Sequence, residues 1–73
     1  MWIKRQVKKE DRKKGSSKTE VWQDGLLFIY LDYYKDAYVV SMKVMMDKNY
    51  RYVKAFRTKE AAMNQIRKMK LTK

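Results

Sequence analysis

The side chains of this 73-residue chain that can do chemistry are mostly cationic: 19 Lys and Arg stand against 8 Asp and Glu, with no His and no Cys, for a formal charge of +11. Lacking Cys and His, the chain can build no thiolate zinc site, disulfide, Cys or His nucleophile, or imidazole base. The carboxylates Glu20, Asp24, Asp32, Asp36 and Asp47 show no recognised metal-ligand spacing. Asp24, Asp36 and Asp47 are better explained as turn formers, because an Asp side chain can hydrogen-bond its own backbone there. Gly15 and Gly25 stand alone, so no glycine-rich loop cradles a phosphate. These residue types point away from an enzyme, imply no cofactor, and suit neutralisation of a polyanion.

The elements that would position the cations divide the charge unevenly. Residues 1–18 carry +6, residues 19–47 carry −3 and residues 48–73 carry +8. The first segment holds only Trp2, Ile3 and Val7 as sizeable apolar residues and closes in Gly15-Ser16-Ser17. It reads as a flexible basic arm, leaving residues 19–73 as a sheet-plus-helix domain. The longest uncharged apolar stretch, Leu26 to Leu31, falls far below the roughly 20 residues of a membrane-spanning helix. A cytoplasmic protein with no membrane partner is the default expectation.

Three turns organise the second segment. Asp24-Gly25 signals a two-residue hairpin joining a strand at 19–23 to one at 26–34. Lys35-Asp36 offers a second tight turn into a strand at 37–46. Asp47-Lys48-Asn49, with Asn49 able to turn left-handed, leads into a last strand at 50–56. This register sets Leu31 opposite Val40, Ile29 opposite Met42 and Leu27 opposite Val44. Trp22, Tyr38, Tyr50, Tyr52 and Phe56 join them on one apolar face, with Lys54 the misfit. Thr58 is a good helix N-cap, Glu60 suits the first turn, and Ala62, Ile66 and Met69 form an apolar stripe. The expected fold is α+β: a three- to four-stranded antiparallel meander with one C-terminal helix packed on one face.

One helix covers one face, so the other is solvated or bound. It should carry Phe28, Tyr30, Lys43, Arg51 and Arg57 together with Asp32, Val39, Ser41, Met45 and Val53. Aromatic rings beside cations suit nucleic acid, since rings stack on bases and Lys or Arg neutralise phosphates. Lys8, Lys9, Arg12, Lys13 and Lys14 of the arm would add phosphate contacts. DNA stands ahead of RNA as the expected partner, with single-stranded and duplex forms undivided. A protein-interaction module, such as a phage-type inhibitor or assembly factor binding an acidic partner through the same face, is the alternative, and a homodimer is left open.

Residues 50–70, YRYVKAFRTKEAAMNQIRKMK, resemble the closing strand and helix of the N-terminal arm-binding domain of phage and conjugative-transposon tyrosine integrases. Phe56, Arg57, Thr58, Lys59, Glu60 and Ala61 carry the likeness, which extends over residues 26–70. It implies a phage or mobile-element origin and a three-stranded sheet inserted into the DNA major groove, with Lys43, Arg51 and Arg57 as contacts by position. The first turn departs from that pattern, with Lys35-Asp36 in place of the usual Gly-bearing turn.

Overall fold

Alternation of apolar and polar residues across closely spaced turns produces one antiparallel sheet, which a computed structural model describes over residues 1–9 and 12–71, the side chain of Tyr52 excepted. The strands are β1 (Ile3–Arg5), β2 (Lys18–Asp24), β3 (Leu27–Tyr33), β4 (Tyr38–Val44) and β5 (Tyr52–Phe56), lying side by side in chain order, followed by the helix α1 (Lys59–Leu71). The class is α+β, with five strands where three to four were expected.

The additional strand comes from the segment read as an arm. Ile3 pairs with Gln23, Lys4 with Trp22 and Arg5 with Val21. Three residues are too few to show a period in sequence, yet they are anchored from both sides. Trp2 packs against the core, and Lys4 Nζ lies 2.7 Å from Glu20 Oε1.

The β3–β4 hairpin has the expected register: Leu27, Ile29 and Leu31 face Val44, Met42 and Val40. Tyr34 N–H donates to Ala37 O at 2.8 Å, closing the turn at Lys35-Asp36. The first hairpin turns one residue later than expected. Asp24 pairs with Leu27, so Gly25 and Leu26 are the central residues. Gly25 has φ 61° and Leu26 does not have positive φ, the pattern of a turn with Gly at its first central position. Moving a turn by one residue shifts each pairing by two, so side chains keep their faces. Trp22 therefore meets Ile29 and still points to the core.

The β4–β5 connection differs more, running from Met45 to Arg51. Met45 N–H donates to Leu26 O (2.7 Å) and Asp47 N–H to Val44 O (3.0 Å). The left-handed residue is Met46 (φ 70°), not Asn49, whose N–H instead donates to Asp47 Oδ1 at 3.0 Å. The tie from Met45 to Leu26 carries the ladder past the end of β3 and forces the chain to turn at Met46. The longer connection also moves Tyr50 off the core face. Its ring packs edge-on against Tyr30 with centroids 5.5 Å apart, on the opposite side of the sheet. The Tyr52 side chain, also expected in the core, lies outside the described residues.

The helix forms as its sequence directs. Thr58 Oγ1 accepts from Ala61 N–H at 3.2 Å, Glu60 occupies the first turn and Lys68 and Lys70 the last. Ala62, Ile66 and Met69 are buried, over β4 and β5. With Trp22, Ile29, Leu31 and Val40 they make the core, and Tyr38, Met42 and Phe56 pack against its margin. Each fully buried aliphatic side chain contributes roughly 1.5–3 kcal/mol. Lys54 is exposed, its ammonium 5.4 Å from the Phe56 ring centroid, so the misfit reaches the edge along its own stem.

Candidate nucleic-acid interface

The side chains of the face opposite α1 stand in rows fixed by the register. Ile3, Gln23, Phe28 and Lys43 form one row, and Arg5, Val21, Tyr30, Ser41 and Val53 the next. Thr19, Asp32, Val39 and Ala55 form a third.

The first two rows floor a notch of about 390 Å³. Val21, Phe28 and Tyr30 lie at its base. Arg5, Gln6 and Lys8 stand on one side, Lys43 with Met45 and Met46 on the other. The lining contains three cations and, among the described residues, no carboxylate. Phe28 is half-buried and lies 6.2 Å from Tyr30, the rings inclined by 24°. Gln23 Nε2 donates to Gly25 O at 2.8 Å, which fixes that amide.

Lys8 also lines an adjoining hollow of about 340 Å³, together with Lys9, Arg12 and Lys18. The Arg12 guanidinium donates to the carbonyl oxygens of Ser16 (3.2 Å) and Ser17 (3.3 Å). A cationic track therefore runs from Lys43 through Arg5 and Lys8 to Lys9 and Arg12, whereas the Lys18 ammonium lies over the Tyr33 ring, 5.4 Å from its centroid, on the α1 side.

The third row is already occupied. Lys13 Nζ lies 3.0 Å from Asp32 Oδ2 and 3.3 Å from Ser41 Oγ, while the Thr19 hydroxyl donates to Asp32 Oδ1 at 2.7 Å. Asp32 is completely buried. The Lys13 ammonium also sits 4.0 Å from the Tyr50 ring centroid. Lys13 thus fastens the chain from 12 to 17 onto the sheet, helped by Ser17 N–H donating to Tyr33 O at 2.8 Å and by Ser16, which is buried.

The sequence-expected residues separate accordingly. Lys8, Phe28, Tyr30 and Lys43 come together at the notch, and Lys9 and Arg12 at the hollow. Lys13 is held inward against Asp32. Lys14, Arg51 and Arg57 are exposed and line neither depression. Tyr30, expected as a stacking platform, is 5% exposed and flanked by Phe28 and Tyr50, so Phe28 is the ring that a ligand reaches. Arg5, Gln6, Gln23 and Lys18 were not expected at the site. For the first of these no local signal was available, because Arg5 lies in a three-residue strand whose flanking residues do not alternate between apolar and polar.

Cations on the helix side serve structure. Lys4 bonds Glu20 and lies 5.9 Å from the Trp22 ring centroid, and Lys70 lies 5.0 Å from that ring on the same side. Burial pushes the Glu20 carboxyl up, but hydrogen bonds from Lys4 and the Tyr33 hydroxyl hold it below the usual carboxylate range. Burial, followed by the Glu20 contact, raises Tyr33. Burial and then Arg67 lower Lys70.

Among the described residues, no group of three or more acidic side chains could hold a metal ion, and no helix is long and apolar enough to cross a membrane. No protein-family model, curated protein or solved structure matches the chain.

Proposed function

We propose that this chain is a small, non-enzymatic DNA-binding protein that receives the polyanion on the face opposite α1 and along its basic N-terminal segment. One observation carries the reading: the notch brings Arg5, Lys8 and Lys43 together beside the half-buried Phe28 ring. Such a lining attracts phosphate and offers an aromatic surface next to it. The five cations Arg5, Lys8, Lys9, Arg12 and Lys43 set the scale of the electrostatics. Five phosphate contacts give a slope of log affinity against log salt of about −3.5 for a single strand and about −4.5 for a duplex.

The test is a titration of labelled single-stranded DNA, duplex DNA and RNA between 50 and 200 mM salt, read by fluorescence anisotropy. DNA binding that weakens with the stated slope supports the proposal. Undetectable or salt-insensitive binding to all three refutes it.

A second reading has its own support. Ile3, Leu26 and Met46 expose large apolar side chains around one end of the sheet, as a protein-binding rim does. A protein partner that binds stoichiometrically in high salt, with no nucleic acid co-purifying, would favour a protein-interaction module instead.

A further inference from the structure

We infer that the notch takes a single-stranded nucleic acid, with one unpaired base seated against Phe28 and its flanking phosphates on the cationic track. The inference rests on the nucleic-acid reading above and narrows it to one form of the ligand.

Shape is the first argument. Duplex readout normally places a protruding protein element, a helix or a two-stranded ribbon, into a major groove about 12 Å wide. Here Arg5, Lys8 and Lys43 surround a concavity floored by the sheet. Complementarity therefore requires the ligand to supply the protrusion. An unpaired base protrudes from its backbone, whereas a stacked and paired base does not. The 390 Å³ of the notch lies within the ~300–1,000 Å³ of sites that take small molecules, which suits one nucleotide.

Chemistry is the second. Phe28 is the reachable ring, and its position against Tyr30 holds it in place, so stacking costs little side-chain freedom. On the opposite side, the Met45 and Met46 thioethers give an apolar wall that tolerates bases of different outline. Gln6 and Gln23 bring amide groups to the same space, and the Gln23 contact to Gly25 leaves its Oε1 as an acceptor for a base edge. The track through Lys8 to Lys9 and Arg12 then follows the backbone away from the seated base.

The experiment uses the full chain and four fluorescein-labelled probes at equal salt: a ten-nucleotide DNA strand, its duplex, the matching RNA strand, and the DNA strand with abasic spacers replacing its bases. The DNA strand should bind at least tenfold more tightly than the duplex. Removing the bases should weaken binding by about 5- to 150-fold, the range expected for loss of one stacked base. Phe28→Leu, which keeps an apolar side chain on the sheet, should weaken the base-bearing strand by a similar factor and leave the abasic strand unchanged. Lys43→Gln should instead weaken both and lower the single-strand salt slope by about 0.7, which keeps the site testable if Phe28→Leu does not fold.

Duplex binding as tight as single-strand binding overturns the inference and leaves the DNA-binding proposal standing. Equal affinity for abasic and base-bearing strands overturns base seating alone among the two. An RNA strand preferred over the DNA strand keeps the single-strand inference and removes DNA from the proposal, while no binding to any probe removes both.

Discussion

Removing the Lys13 ammonium should destabilise the fold more than neutralising its partner Asp32. The two side chains are unequally enclosed: Lys13 keeps 29% of its side-chain surface exposed and Asp32 none. In Lys13→Met the Asp32 carboxylate remains buried with the Thr19 hydroxyl as its remaining described partner. Breaking a fully buried pair costs roughly 3–5 kcal/mol, and partial exposure of Lys13 lowers the expectation to about 2–3 kcal/mol. Loss of the contact with the Tyr50 ring falls within that figure. In Asp32→Asn the ammonium can turn toward solvent and the amide oxygen can still accept from Thr19, so the cost is about 1 kcal/mol. A domain of this length has about 4–11 kcal/mol in total, so the difference is measurable. Urea unfolding followed by Trp fluorescence, with m unchanged, gives both values. The double variant should be less destabilised than the sum of the two, by about 1–2 kcal/mol. A cost for Asp32→Asn exceeding that for Lys13→Met, or a cost below 0.5 kcal/mol for the latter, on the order of a surface change, would refute the reasoning.

Stability should fall as pH drops below 4.5, because Glu20 titrates lower when folded and its contribution is present above the unfolded value; Glu20→Gln should flatten this limb of a pH series of urea midpoints. Tyr33 titrates higher when folded, so its contribution is present below pH 10.0 and lost above it, and Tyr33→Phe should flatten the alkaline limb. Trp2 Nε1 is buried with no hydrogen-bond partner among the described residues. Trp2→Phe removes that orphan, offsetting the lost volume, so urea midpoints should show stability held within about 1 kcal/mol, whereas Trp2→Ala should cost about 3–5 kcal/mol. Ile66→Ala should cost about 2–5 kcal/mol in the same assay, because the side chain is wholly enclosed between helix and sheet.

How far the sequence displays the fold depends on the range of the forces involved. The β3–β4 hairpin is readable because six apolar residues alternate across a turn of only one workable length, and slipping by one residue would put Ile29 and Leu31 in water. The helix is readable because its cap, first turn and apolar stripe are local. The β1 strand is not, since three residues have no period and their anchors, the core that Trp2 packs against and the Glu20 carboxylate that Lys4 meets, are distant in sequence. The Lys13–Asp32 contact spans 19 positions and has no local signature on the lysine. Its trace was on the carboxylate: Asp32 stands within an apolar strand, one residue from its end, where a buried charge requires a partner. At the candidate site Lys43 and Phe28 were readable by type and face, Lys8, Lys9 and Arg12 by type alone, and Arg5 not at all. Their grouping was not, because the long turn at Met46 and the clasp at Lys13 decide which of them share a depression.

That turn at Met46 also gives the notch a chemical sensitivity. Met46 is 94% exposed and Met45 stands beside it in the same wall, while Met69 is buried on the sheet-facing side of α1. Peroxide converts an accessible thioether to a sulfoxide, which replaces an apolar surface with an oxygen acceptor. Oxidation would set that acceptor opposite an incoming phosphate, among the cations meant to attract it. Oxidant and ligand then compete for one surface, so the sulfoxide content at Met45 and Met46, measured against Met69 by mass spectrometry, doubles as a footprint of whatever fills the notch.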